Sequence, residues 1–303
     1  QYLRAFGEVG YRHFTLCKDM TNEWEVENAI KDCDVVFNCI GDNPVLRHME
    51  DFEEANVHVP RMIAKVCARL KNDPVKRLIH FSANGADPDS ISKKLRTKWL
   101  GEQEVLNYFP EATIIRPTEV LGGWDMHNFI GYFNHCYHSN NNHMMLIDGG
   151  RVKKQPVAVN DIYQAVERII HLEESKGQIY ELGGSQVYSL KELLEFYANN
   201  VNHRPFFLDM SYDDFMRMYL SPNSNFEKAI HWLLARPDFI TRQRIDNVIT
   251  PKKGIKTFAD LEILPIAASQ YVGDDANYAY EKVYTTESNY RDVEEIDADD
   301  DGH

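Results

Sequence analysis

Apolar residues in the first half of the chain fall alternately into short continuous runs and into stripes of helical period. Residues 12–18, RHFTLCK, read as a short strand. NEWEVENAIKDC then places Val26, Ala29 and Ile30 on one helical face, with Asn22 and Glu25 at the spacing of a capping box. Residues 34–41, DVVFNCIG, are nearly all apolar and end in glycine, the pattern of a parallel strand buried on both faces. The helix NVHVPRMIAKVCARLK, the strand KRLIHFS (76–82), the helix KLRTKWLGEQEVLNYF and the strand ATIIRP (112–117) follow. Strands alternating with helices of this length predict right-handed βαβ units, hence an α/β, Rossmann-like, doubly wound parallel sheet.

Beyond Pro117 the rhythm loosens. A long polar stretch is followed by strand and helix in QPVAVNDIYQAVERII, a last sheet strand in GQIYELGG (177–184) and an amphipathic helix in SLKELLEFYANNV. Residues 200–273 predict a small, mostly helical unit from SYDDFMRMYL, FEKAIHWLLARPDF and TFADLEILPI. The expected division is a nucleotide-binding domain over 1–185, a smaller domain over 186–273 and an acidic tail over 274–303.

Composition narrows the function. Of 303 residues, 43% are hydrophobic and 26% charged, an ordinary globular balance. No apolar run approaches the roughly 20 residues that span a bilayer. The net charge of −14 argues against a nucleic-acid partner. Residues 274–303 carry eleven acidic residues against Lys282 and Arg291, so this segment alone holds −9 of it. Such a run is ordinarily a solvated end. Cys17, Cys33, Cys39, Cys67 and Cys136 form no CxxC pair and several lie in apolar runs, which predicts buried, reduced thiols. His127, His135, Cys136, His138 and His143 lack the paired spacing of a zinc site, so no metal is expected.

A Rossmann sheet holds a dinucleotide pyrophosphate on a glycine-rich turn between its first strand and helix. No GxGxxG or GxxGxxG stands in that context here, since Gly7 and Gly10 precede a strand. A sheet starting at RHFTLCK would lack its central strand, so about 60 preceding residues, two strands and a helix, are expected upstream or from another chain.

CKDMTNEWEVENAIKDCDVVFNCIG, RLIHFSANGA, LRTKWLGEQEV, TIIRPTEVLGG and QPVAVNDIYQAV occur in the order typical of atypical short-chain dehydrogenases. More narrowly, KLRTKWLGEQEVLNYFPEATIIRPTEVLG, KKQPVAVNDI and the late DFITRQRIDNVIT resemble the short-chain-dehydrogenase-like accessory subunits of mitochondrial respiratory complex I. The resemblance covers about residues 5–265. It implies a tightly bound structural NADPH without turnover. It also implies other complex I subunits as partners, and a peripheral place on the matrix side of the inner membrane.

Active members of the wider family carry Tyr and Lys four apart on a helix, hence on one face. The Tyr is general acid/base. The Lys holds the ribose and lowers the Tyr pKa. Here the Lys position is Lys98, the strand-end Ser is Ser82, and the Tyr position is Lys94. Tyr108 lies fourteen residues further on, about 21 Å along the helix, and does not substitute. Lys94 as a base with a depressed pKa is the enzymatic alternative; Lys98 as a solvated surface residue is the plain one. The resemblance assigns Asp19 to the adenine amino group and places Asn38, Ile40 and Gly41 beside the adenosine ribose. It sets Pro117 and Thr118 by the nicotinamide. Asp19 is equally a helix-entry residue, and the others are equally turn residues. HWLLARPDF and FMRMYL are core stripes by default, or a docking face for a membrane partner or lipid headgroups. Alternative functions are an active NADP-dependent reductase or epimerase, and a nucleotide-free scaffold.

Overall fold

A computed structural model describes residues 16–41, 52–71, 75–122, 142–200, 204–219 and 243–268. Its centre is a five-stranded sheet in the order β1 (Val35–Asn38), β2 (Arg77–Phe81), β3 (Thr113–Pro117), β8 (Ile179–Leu182) and β11 (Ile255–Lys256), all neighbours parallel. The continuous apolar runs become its middle strands, as expected for strands covered on both faces. One face carries α1 (Glu23–Ile30), α2 (Val59–Arg69) and α3 (Lys93–Tyr108) around Val36, Leu78 and Ile114. The other carries α4 (Val159–His171) and Phe258, Leu261 and Ile263 around Ile79, Ile115 and Tyr180.

Local chemistry sets the helix ends. Asn22 accepts from the N–H of Trp24 at 3.0 Å, and Ser92 accepts from Leu95 at 3.4 Å. The capping box expected at Asn22 and Glu25 is not formed. The Asn22 N–H turns back onto the Asp19 carbonyl, and the Glu25 carboxylate takes the N–H groups of Lys18 and Asp19 at 2.6 and 3.2 Å. Arg77, buried at the start of β2, donates to the carbonyls of Ile169, Ile170 and Leu172, where α4 ends. A cation at the negative end of a helix dipole is favourably placed.

Four expectations change. Residues 16–18 form no strand, and 12–15 lie outside the described residues. β1 is not buried on both faces: it is the edge of the described sheet, and Phe37, opposite in facing to Val36, is 43% exposed. GQIYELGG is not the last strand, because Ile255–Lys256 returns to pair with Ile179–Tyr180. Of the cysteines, Cys67 is buried as expected, whereas Cys39 is exposed at the open end of β1.

A second core gathers β5 (His143–Ile147), α5 (Leu190–Asn200) and α6 (Tyr212–Tyr219) around Leu146, Leu194 and Phe215. Phe206–Met210, read from sequence only as part of a helical region, is a strand, β10, paired in parallel with β5. Phe207 and Met210 pack inward while Phe206 and Leu208 stay exposed. FEKAIHWLLARPDF and most of the histidine-rich stretch lie outside the described residues. His143 is described, and stacks on Phe206.

Candidate functional site

The carboxyl ends of β1 and β2 meet the second turn of α3, and five of the predicted site residues converge there. Lys98 is 6% exposed, so it is not a surface lysine. Its Nζ donates to the Phe81 carbonyl at 3.3 Å. A Cβ on Gly41 would lie 2.9 Å from that Nζ, so the ammonium fills the space that glycine leaves. Burying an ammonium costs several kcal/mol unless partners replace its water. The Phe81 carbonyl and the close backbone at Gly41 supply part of that replacement.

The lysine is positioned from behind by Asn56, which the sequence reading missed. Residues Glu54–His58 form a π-helical turn leading into α2. Such turns are rare and frequent at functional sites. This one buries Asn56, which donates from Nδ2 to Thr97 Oγ1 at 3.0 Å, one residue before Lys98. The Asn56 carbonyl abuts Gly101, where a Cβ would stand 1.9 Å from the oxygen. The available signal was a buried-pattern helix, NVHVP, that begins on a polar residue.

Below the lysine, Asn38 and His80 face each other across β1 and β2 at 3.0 Å, Asn38 Nδ2 to His80 Nδ1. Asn38 Oδ1 already accepts the Ile40 N–H at 3.1 Å, so the amide nitrogen faces the ring and Nδ1 accepts. The imidazole is then neutral, with its hydrogen on Nε2. Complete burial, and secondarily the charge of Lys98, push the His80 pKa down to about 3. Among the described residues, His80 Nε2 and the Ser82 hydroxyl have no hydrogen-bond partner. An ammonium and an unpartnered hydroxyl at the carboxyl ends of parallel strands suit the hydroxyls of a ribose.

The remaining predicted residues are placed differently. Lys94, one turn before Lys98, is half-buried. Pro117 ends β3 and accepts the Asn84 N–H at 2.9 Å. Thr118 is buried: its N–H goes to Leu182 at 2.9 Å and its hydroxyl to the Gln155 carbonyl at 2.5 Å. Its N–H and its hydroxyl hydrogen are therefore spent within the protein, and only acceptor oxygens are left for a ligand. Asp19 stands on the exposed turn before α1, where the Thr21 hydroxyl and N–H hold its carboxylate below the usual range.

One turn beyond Lys98, Glu102 is fully buried and accepts from Arg116 Nε and Nη2 at 2.8 and 2.6 Å. Arg116 also reaches Glu181 at 3.2 Å, and Lys252 reaches Glu181 at 3.4 Å. Burial alone would lower the Arg116 pKa, but hydrogen bonds and charges from both glutamates raise it overall. This cluster fixes α3 against β3 and β8. Among the described residues no group of His, Cys, Asp or Glu could hold a metal, and no helix is long and apolar enough to cross a membrane.

A profile of the NAD dependent epimerase/dehydratase family matches residues 8–183. The chain belongs to this family. Curated relatives include the NADH-ubiquinone oxidoreductase 40 kDa subunit, mitochondrial, of Neurospora crassa, 29% identical over 95% of this chain and 70% of that one. Another is the mitochondrial NADH dehydrogenase (ubiquinone) 1 alpha subcomplex subunit 9 of Mus musculus, 32% identical over 68% of this chain. The chain spans about half of that mouse relative's length, at 52%. Among solved structures, dTDP-4-dehydrorhamnose reductase from Bacillus anthracis, in complex with NADP, superposes with a TM-score of 0.58. The match covers 87% of this chain and 86% of that one, at 14% identity. This last likeness supports the epimerase/dehydratase fold.

Proposed function

We propose that this chain is an accessory subunit of mitochondrial respiratory complex I that holds NADPH as a structural element without turning it over. The observation that carries this reading is the pairing of a buried Lys98 with a lysine, Lys94, where an acid/base tyrosine would stand. Lys98, with Ser82 near it, would hold the nicotinamide ribose, and the backbone at Ile40 and Gly41 would pass close to the adenosine ribose. When bound, the nucleotide would supply a charged, polar wedge across strand ends that otherwise keep a buried hydroxyl unpaired. The names of the curated relatives support the assembly, as part of the mitochondrial complex with other subunits as partners. The preference for NADPH over NADH, the matrix-side location and lipid-headgroup contact through HWLLARPDF belong to the same reading.

The test is purification of the intact complex containing this chain, denaturation, and nucleotide analysis by mass spectrometry. About one NADPH per chain, beyond what other subunits hold, is expected. Its absence would favour a nucleotide-free scaffold. Hydride transfer from NADPH to any carbonyl, abolished by Lys94→Ala, would instead establish an active reductase.

A further inference from the structure

Segment 245–252 crosses the carboxyl ends of three strands beside the lysine site. Asn84, two residues past Ser82, donates from Nδ2 to Asn247 Oδ1 at 2.7 Å and to the Val248 carbonyl at 3.3 Å. The Asn247 N–H donates to Lys153 at 2.8 Å, and its carbonyl accepts from Gln155 at 3.0 Å. The Ile249 N–H donates to Gln155 Oε1 at 2.8 Å, and Gln155 Nε2 donates to the Gly184 carbonyl at 2.7 Å. Lys154, almost wholly buried, reaches the Ile245 carbonyl at 3.0 Å. At the far end Lys252 pairs with the buried Glu181. The segment is thus fastened over the ends of β2 through Asn84, of β3 through Gln155 on Thr118, and of β8 through Gly184 and Glu181.

Ligands of open parallel sheets sit outside the carboxyl ends of the strands. A dinucleotide held at Lys98 and Ser82 would meet a second substrate over β2 and β3, where this segment lies. Seven hydrogen bonds, four of them from or to side-chain amides of Asn84 and Gln155, commit that space to protein.

We infer that residues 245–252 are a fixed strap that closes the substrate side of the cleft, with Asn84, Gln155 and Asn247 as its specificity-determining clasps. The site then takes a dinucleotide alone and excludes a sugar- or carbonyl-bearing second ligand. This rests on the nucleotide-holding reading above and supplies a steric reason for absent turnover, independent of Lys94.

The experiment uses the full chain and two single variants on opposite sides of the clasp, Asn84→Ala and Asn247→Ala, with their double. Circular dichroism confirms folding. Amide hydrogen exchange is followed at Gln155, Asn247 and Ile249, NADPH release by its fluorescence, and second-ligand uptake with UDP-glucose by calorimetry. Each single variant is expected to speed exchange at these amides about tenfold, the effect of one to two lost hydrogen bonds, with the double no faster. NADPH release should quicken several-fold. UDP-glucose should bind only to the variants. Unchanged exchange, additive effects in the double, or UDP-glucose uptake by the unaltered chain would each overturn the strap. If the unaltered chain holds no NADPH, the nucleotide reading fails by itself, and exchange and UDP-glucose uptake still decide the strap.

Discussion

Gly101→Ala is the sharpest test of how Lys98 is held. In an exposed helix the change would gain about 1 kcal/mol, because alanine is the better helix former. Here the new Cβ would stand 1.9 Å from the Asn56 carbonyl oxygen, where ordinary contact begins near 3.4 Å. A methyl on the backbone has no rotamer in which to escape. Relief requires α3 and the π-turn to separate by roughly 1.5 Å. That movement would loosen the Asn56 to Thr97 hydrogen bond of 3.0 Å and lift Lys98 off the Phe81 carbonyl. Overpacking of this kind costs about 1–3 kcal/mol, and the lost buried hydrogen bond adds about 1. The expected net destabilisation is about 2 kcal/mol after the propensity gain. Urea unfolding measures it, with Gln103→Ala, exposed on the same helix, as the control that should stay within about 0.5 kcal/mol. A Gly101→Ala protein as stable as the unaltered one would refute the close approach of the two elements.

Glu102→Gln leaves Arg116 buried with one anionic partner fewer and should cost about 3 kcal/mol in the same assay. Glu104→Gln, which loosens only the partly exposed pair with Arg61, should cost under about 1 kcal/mol. Lys98→Met should unfold at similar denaturant concentrations yet weaken NADPH binding at least tenfold by fluorescence titration, since the buried apolar stem is kept while the charge and its bond to the Phe81 carbonyl are lost. For His80 the folded pKa lies at about 3 against about 6.5 unfolded. Its stabilisation is therefore complete above pH 6.5 and lost as pH falls from there toward 3, at about 1.4 kcal/mol per pH unit. Stability of the unaltered chain relative to His80→Gln should fall by about 2 kcal/mol between pH 6.5 and 5; parallel pH profiles would show that His80 is not a buried neutral imidazole.

The legible parts of the fold are those where one apolar pattern decides. β2, α3 and β3 stand within a residue of where KRLIHFS, KLRTKWLGEQEVLNYF and ATIIRP place them, because each is covered on a wide face by neighbours. β10 and β11 carry no such pattern. Phe206 and Leu208 are exposed, and Ile255–Lys256 is two residues whose pairing depends on chain returning from far away in sequence. In the site, Ser82 and Lys98 were legible from spacing and family order. The burial of Lys98 was not, since a lysine on an early helical turn reads as solvated until the glycine and carbonyl that enclose it are in place. Nor does any local pattern link Glu102, Arg116 and Glu181, which come together only when α3, β3 and β8 pack. Asn84 and Asn247 lie 163 residues apart, and no local period links them.

Lys94 and Lys98 share a helix face. Lys98 is fixed by Asn56 and Thr97 on one side, by Phe81 and Gly41 on another, and by the Glu102–Arg116 bond one turn further on. The Thr97 hydroxyl also meets the Lys94 carbonyl at 3.0 Å, a backbone contact that any residue at position 94 keeps. An exchange of side chain at position 94 therefore leaves the bonds from Asn56, to Phe81 and between Glu102 and Arg116 in place. The strap acts on a third, separate set of residues, at Asn84 and Gln155. Restoring Tyr at position 94 alone would therefore supply a proton donor facing a closed substrate side, and Lys94→Tyr should gain carbonyl reduction only when combined with Asn247→Ala. Turnover in the single variant would mean that the strap does not occlude the cleft.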